Sequence, residues 1–388
     1  MATTREVRKE CIATRQLILT PESRRQKAES RRQKAEGRKQ KAESRKQHTE
    51  VLSPPHSARC LLPSARCLLP SGVTLSSVPP TVAATPSRTT NFTRYAWAVL
   101  AANLLVILWG AFVRASGSGA GCGGHWPLCN GEVVPHSPHI QTVIEFTHRV
   151  MSVVALLAVV GLGGWSVLLF PPRHRVRKAT IYAMVFFAAE ALLGAGLVLL
   201  QLVGQNASAG RAFYLAMHLV NTEFLLAALA LTAWFSRDSA PPSSRPSAMI
   251  AATLPVAILV SITGVIAALG DTLFPATSLA EGMRQDLSSS ASFLIQLRSA
   301  HPLLAILAAA YFLAVAVSVM RSKPLPITGQ IALGVLALSI AQLCAGAINL
   351  ALLAPIAMQI VHLLLADLLW IALVLLTAQV PAKAVLKS

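Results

Sequence analysis

Four histidines lie inside long apolar segments of the chain, where ionisable side chains are rare. An ionisable residue within a membrane span is a candidate functional residue by default. A single histidine there could equally be a packing residue bonded to a neighbouring carbonyl, but four that share one position are harder to explain in that way. They are His148, His218, His301 and His362, each near the start of an even-numbered apolar segment.

Two imidazoles on facing helices of a four-helix bundle form the usual bis-histidine cage for heme iron. The order along the chain pairs His148 with His218 and His301 with His362, one pair in each half of the apolar region. Zinc is the competing ligand, but it usually takes three or four convergent protein ligands, and each half offers only a pair. We therefore predict two hemes enclosed by apolar helices.

A carboxylate distinguishes the first histidine pair from the second. Glu145 precedes His148 by one helical turn, so the two side chains share a helix face, and Arg298 stands at the matching place of the second half. Catalysis needs a group that moves a proton or stabilises a developing cation, whereas electron transfer alone does not. Glu145 is therefore the candidate catalytic residue. The alternative is a structural role, with Glu145 paired to Arg149 or Arg114 or placed at a helix N-terminus.

Membrane-spanning helices must position these residues. Of the 388 residues, 54% are hydrophobic and only 13% are charged, whereas a soluble domain carries about a quarter charged residues, which excludes an ordinary soluble enzyme. A spanning helix needs about 20 mostly apolar residues. We predict eight spans: Tyr95–Ala115, Val143–Leu169, Ala179–Val203, Ala212–Phe235, Ala248–Gly270, Phe293–Met320, Ile327–Ala354 and Ile356–Val380.

Basic residues are concentrated in alternate connections between these spans. They follow the second, fourth, sixth and eighth spans, whereas the first loop, Ser116–Gln141, contains no Lys or Arg. The positive-inside rule then predicts that both termini are cytoplasmic. The histidines and the first loop would consequently lie toward the outer side of the membrane.

Two cysteines lie in the glycine-rich first loop. Cys122 and Cys129 are seven positions apart, on the side of the membrane predicted to be oxidising, so a disulfide is the natural interpretation. Such a pair could be structural, or it could carry electrons or form a transient mixed disulfide. A metal site with His125, His136 or His139 is the less favoured alternative.

The net charge of +18 is divided unevenly along the chain. Residues 1–93 hold 18 Lys and Arg against 7 Asp and Glu, a net charge of +11, and residues 94–388 hold 16 against 9, a net charge of +7. The first region repeats a seven-residue unit four times from Glu22 and then SARCLLP twice. We predict a disordered basic tail over residues 1–93 without a role in the chemistry, and no nucleic-acid partner.

The apolar region resembles itself after a shift of about 153 residues. His148 then falls on His301, and EALLGAG at Glu190–Gly196 falls on QLCAGAI at Gln342–Ile348. This indicates two four-helix halves, residues 94–240 and 241–388, in the same orientation, because four spans return the chain to its starting side. The predicted fold is thus an all-α membrane protein with eight transmembrane helices as two tandem four-helix bundles related by internal duplication.

Five segments together resemble the heme A synthase (CtaA) family of cytochrome oxidase assembly enzymes: RASGSGAGCGGHWPLCNG, EFTHR, EALLGAG, MHLVNTE and QIVHLLLAD. The resemblance covers about Thr93–Pro381. It implies an oxidoreductase that converts a ring methyl of heme O to a formyl group, giving heme A. It further implies a substrate heme at His148 and His218, heme b at His301 and His362, Glu145 as the catalytic carboxylate, and Cys122–Cys129 as the loop pair of the bacterial type.

The resemblance also implies a setting for the protein, the bacterial plasma membrane. Heme O synthase would supply the substrate, cytochrome oxidase would receive the product, and an electron partner lies outside this chain. Assembly of several copies is compatible with the sequence. The rival hypothesis is a diheme membrane cytochrome that only transfers electrons, and a transporter is disfavoured because the spans lack interruptions with central charges. Some relatives have a second cysteine pair, which the loops after Gly270 lack. The second site could therefore be covered in a different way in this chain.

Overall fold

The computed structural model describes residues 86–237, 247–288, 292–322 and 324–379, together with Glu36. Within these ranges every regular element is a helix, and one isolated bridge joins Cys129 and Glu132. The disordered tail was predicted over residues 1–93, and its repeats lie outside the described residues apart from Glu36. Residues 86–93 are described, and they form the first turns of a helix, with Phe92 buried. The all-α prediction is confirmed for the part of the chain that is described.

The helices are named here in chain order. They are α1 (Pro86–Ala115), α2 (Ile140–Leu169), α3 (Arg175–Leu199), α4 (Ala209–Phe235), α5 (Ala248–Ala251), α6 (Thr253–Leu273), α7 (Leu279–Leu287), α8 (Phe293–Arg321), α9 (Pro326–Ala351) and α10 (Ile356–Gln379). Helices α5 and α6 follow each other directly, and together they make one span. The described residues thus contain eight helices that are long and apolar enough to cross a membrane, as predicted.

Two of the predicted spans end earlier than hydropathy suggests. Helix α3 stops at Leu199 because Gln201 adopts a left-handed conformation and the backbone N–H of Leu202 bonds back to the carbonyl of Leu197 at 2.8 Å. Helix α9 stops in the same way, with Leu353 left-handed and Ala354 bonded to Asn349 at 2.7 Å. Both ends are Schellman motifs, which satisfy the last carbonyls of a helix.

The long helices pack as two rings of four. Helices α1 to α4 contact one another in sequence, and α4 closes the ring against α1; α6, α8, α9 and α10 do the same. The two rings meet through α1, α4, α6 and α10. This packing agrees with the predicted tandem bundles, whereas the duplication and its boundaries at residues 94–240 and 241–388 stay predictions.

Specific hydrogen bonds join the two rings. Arg114, at the end of α1, donates to the carbonyl of Ala268 and the hydroxyl of Thr272, both at 2.8 Å, and to the amide oxygen of Gln359 at 3.0 Å. The indole of Trp370 on α10 donates to the carbonyl of Glu223 on α4 at 2.6 Å. The guanidinium of Arg114 is therefore engaged with the second ring and is not the partner of Glu145.

Candidate functional site

Each of the four histidines lies against a glycine of the preceding long helix. The pairs are Gly110 with His148, Gly194 with His218, Gly264 with His301, and Gly346 with His362. A Cβ atom placed on the glycine would lie 2.9, 3.8, 3.0 and 3.1 Å from the imidazole Cε1, in that order. Three of these gaps are too small for an alanine unless the imidazole moves, so glycine at those positions makes room for the ring.

The two histidines of each predicted pair lie on opposite helices of one ring, His148 on α2 with His218 on α4, and His301 on α8 with His362 on α10. All four histidines are half-buried, since each is intermediate in exposure within its helix. Whether these histidines could ligate the iron of a planar group depends on which partners their ring nitrogens already have.

The ring nitrogens carry few partners. Nδ1 of His148, His218 and His362 is buried and has no hydrogen-bond partner among the described residues. Nδ1 of His301 lies 3.0 Å from the hydroxyl of Thr263. An imidazole that ligates iron uses one nitrogen and offers the other to a protein partner. Imidazoles with a buried, orphaned nitrogen, each on a glycine that leaves space, fit ligation of a heme.

Glu145 is buried, and both of its carboxylate oxygens are engaged. Oε2 accepts a hydrogen bond from the backbone N–H of Cys122 at 2.9 Å, and Oε1 pairs with Arg149 at 2.5 Å. The same guanidinium donates to the carbonyls of His125 at 2.9 Å and Leu128 at 2.6 Å. Glu145 thus ties the turn that carries His148 to the cysteine loop, and of the pairings considered from the sequence it adopts the one with Arg149.

The cysteine loop is closed by the predicted disulfide. Cys122 and Cys129 are bonded to each other, and both side chains are buried. The hydroxyl of Thr142 on α2 donates to the carbonyl of Gly121 at 2.7 Å. A Cβ on Gly121 would collide with the backbone of Gln141. The loop therefore packs directly on the start of α2, one turn before Glu145.

The loop histidines do not converge on a metal site. His136 pairs with Glu132 at 3.1 Å, His125 is exposed, and His139 precedes the first residue of α2. The backbone N–H of His136, followed by its ring, lowers the pKa of the Glu132 carboxyl from its ordinary value. Among the described residues no group of three or more His, Cys, Asp and Glu could hold a metal ion.

The second half has an arginine with two carboxylate partners at the position that matches Glu145. Arg298, one turn before His301, is buried and pairs with Asp286 at 2.6 Å and with Asp271 at 3.2 Å. Asp286 belongs to the short helix α7, so the ion pair holds α7 against the start of α8. An arginine–carboxylate cluster and a short helix stand where the first half has a carboxylate and a disulfide loop.

Sequence reasoning missed one residue beside the histidines. Glu190 on α3 accepts hydrogen bonds from Asn221 at 2.6 Å and Thr222 at 2.5 Å, and its Oε1 lies 3.5 Å from Nδ1 of His218. The corresponding residue in the shifted sequence is Gln342. The sequence signal that could have identified Glu190 is this replacement of an acid by an amide at the first position of EALLGAG and QLCAGAI.

Two further buried carboxylates occur at matching places in the halves. Glu223 on α4 and Asp367 on α10 each keep one oxygen without a hydrogen-bond partner among the described residues. Because both halves carry one, the sequence predicts shared architecture rather than chemistry. Their place near the contact between the rings agrees with that role.

Comparison with known proteins identifies the family. The family model COX15-CtaA, described as cytochrome oxidase assembly protein, matches residues 93–374. A protoheme IX farnesyltransferase of Thermus thermophilus is 45% identical over 286 residues, which is 73% of this chain and 47% of that protein. Heme A synthases of Exiguobacterium sibiricum and Alkalihalophilus pseudofirmus are 36% and 40% identical over 98 and 132 residues, which is 25% and 33% of this chain and 33% and 40% of those proteins.

The match covers less than half the length of each of these curated relatives. The family match, by contrast, extends over the whole helical region, from the first turns of α1 almost to the end of α10. It includes the cysteine loop, both histidine pairs and the short helix α7. The chain therefore belongs to the COX15-CtaA family of cytochrome oxidase assembly proteins.

Proposed function

We propose that the protein is a heme A synthase, which oxidises a ring methyl of heme O to a formyl group and so supplies heme A for cytochrome oxidase. Relatives named heme A synthase support this reaction. The observation that carries it is the difference between the two histidine pairs. The first pair has a buried carboxylate one turn from a ligand and a disulfide loop packed beside it, whereas the second has Arg298.

In this proposal the substrate heme O is held by His148 and His218. The second pair, His301 and His362, holds heme b. When bound, heme b supplies a one-electron carrier. The glycines opposite the imidazoles support this assignment, because three of the four leave room for a ring that an alanine would crowd.

Glu145 is the proposed catalytic carboxylate. The sequence allowed two roles for it, accepting a proton from water or stabilising positive charge on the oxidised methyl. The bonds of Glu145 to Arg149 and to the Cys122 amide favour the second role, because an oxygen that already accepts a strong hydrogen bond is a poor base. A fixed anion is suited to stabilising charge that develops beside it.

The rival function is a diheme cytochrome that transfers electrons without oxidising a substrate. The same bonds supply an observation in its favour, since they give Glu145 a structural role that needs no chemistry. The two functions predict different results when Glu145 is replaced by glutamine. If the carboxylate only holds the loop, Glu145→Gln weakens that hold, because its amide oxygen can accept only one of the two hydrogen bonds. It does not change which heme is extracted from the cells.

The proposed setting is the bacterial plasma membrane, with both termini cytoplasmic and the histidine pairs toward the outer side. Heme O synthase is the proposed supplier of the substrate. The Thermus relative supports this supplier. It bears the name protoheme IX farnesyltransferase, and the match to this chain covers less than half of its length. Cytochrome oxidase is the proposed recipient of heme A, as the family description indicates.

Histidine variants of the full-length protein test this assignment. We expect His148→Ala and His218→Ala each to remove one heme per chain and to abolish conversion of heme O. His301→Ala and His362→Ala should remove the other heme. His136→Ala, on the exposed loop, is the matched control and should keep both hemes. Full heme content in all four ligand variants would refute the assignment.

A further inference from the structure

We propose that Glu190 is a positioning residue that gives the ligand His218 an anionic partner, so that the two heme sites differ in reduction potential. The inference rests on the proposed function, because it takes His218 as a ligand of the substrate heme. It adds a residue to the first site and a direction for electron transfer between the sites.

The contacts of Glu190 fix its carboxylate beside the histidine. Asn221 and Thr222, the third and fourth residues after His218 on α4, donate to Oε2 and Oε1 of Glu190 respectively. Oε1 also lies 3.5 Å from Nδ1 of His218, which has no hydrogen-bond partner among the described residues. The carboxylate is therefore held in reach of the one ring nitrogen that needs an acceptor.

The second half has a neutral residue at the matching sequence position, and it faces the other ring nitrogen of its histidine. The side-chain nitrogen of Gln342 lies 3.3 Å from Nε2 of His362. Gly346 follows Gln342 by four residues, as Gly194 follows Glu190, and each glycine packs against the histidine concerned. The two sites thus share this spacing, and they differ in the charge beside one ligand and in the ring nitrogen that the charged or neutral group faces.

That charge acts on iron through the imidazole. A ligating histidine commonly donates its second ring N–H to a carboxylate or carbonyl, which fixes the ring and raises its basicity. A carboxylate partner increases electron donation from the ring and stabilises the ferric state more than an amide does. Second-shell hydrogen bonding is one of the means by which a protein tunes a heme potential. The first site should therefore have the lower potential, and electrons should move from it to the second.

A purely structural role for Glu190 makes a different prediction. Its bonds to Asn221 and Thr222 link α3 to α4, and glutamine can form both because its amide oxygen accepts and its amide nitrogen donates. Glu190→Gln therefore keeps the link and removes the charge. If the residue only links helices, the variant leaves both heme potentials where they are.

The test is a redox titration of the full-length protein, purified in detergent and saturated with hemin. The wild type should titrate in two one-electron waves. Glu190→Gln should raise the lower midpoint by at least the 59 mV that corresponds to a tenfold change in the ratio of oxidised to reduced heme, and should leave the upper midpoint in place. Glu281→Gln, in the short helix α7, removes a carboxylate that pairs with Arg284 and should move neither midpoint.

Gln342→Glu makes the test independent of how well Glu190→Gln folds. It should lower the upper midpoint by a similar amount. Unmoved midpoints in both variants would overturn the inference while leaving the proposed function intact. A wild type that shows one wave, unaffected by loss of His148 or His218, would overturn both together.

Discussion

Replacement of Gly110 by alanine should weaken heme binding at the first histidine pair. A Cβ at this position would lie 2.9 Å from Cε1 and 3.2 Å from Nε2 of His148. Ordinary contact begins near 3.4 Å, so the imidazole must retreat by about 0.5 Å, which is the tolerance within which a functional group must be held. Overpacking of this kind costs about 1 to 3 kcal/mol, and every 1.4 kcal/mol is about a tenfold change in affinity.

The assay is the number of hemes per chain, measured as the pyridine hemochrome after dilution to concentrations at which heme dissociates. Gly110→Ala should lose heme at a protein concentration about five- to 140-fold above the one at which the wild type loses it. Gly164→Ala on α2 is the matched control, because a Cβ there meets no atom within 4 Å. An alanine at Gly110 that leaves heme content and the Soret spectrum unchanged would refute the role of this glycine.

Three other predictions concern the cysteine loop and Arg298. Alkylation should leave Cys122 and Cys129 unmodified without a reductant, and both should react after reduction. Mass spectrometry measures this, and cysteines found alkylated without a reductant would refute the bond. Replacing both by serine should destabilise the loop by about 2 to 3 kcal/mol, the chain-entropy value for so short a loop, and make it cleavable by protease. Arg298→Ala should expose α7 to protease, because it removes the buried partner of the half-buried carboxylates of Asp286 and Asp271. Equal cleavage in Arg298→Ala and Arg298→Lys would contradict this.

Hydropathy predicted the spans because a membrane helix must be apolar along its whole length. It misplaced the ends of α3 and α9, since the left-handed residues there are Gln201 and Leu353. A glycine at such a position is the usual sequence signal for a helix end. Without that signal, the apolar run continued past the point where the backbone turns.

The site was predictable where partners are local and unpredictable where they are distant. The pair of Glu145 with Arg149 spans one helical turn and is visible in the sequence. The bond from the Cys122 amide to Glu145 depends on the loop folding back onto α2, where Gly121 lies directly on the backbone of Gln141. No spacing rule in the sequence predicts this contact. Glu190 reaches His218 from a neighbouring helix, so no spacing rule within one helix identifies it.

In the proposed function, this chain converts heme O to heme A with Glu145 in the first site. The direct measurement is chromatography and mass spectrometry of pigments extracted from cells that make heme O but have no heme A synthase of their own. Expression of the wild type should produce heme A. Glu145→Gln, expressed at the same level and with both hemes bound, should leave heme O unconverted. Absence of heme A with the wild type, or equal heme A with Glu145→Gln, would contradict the account.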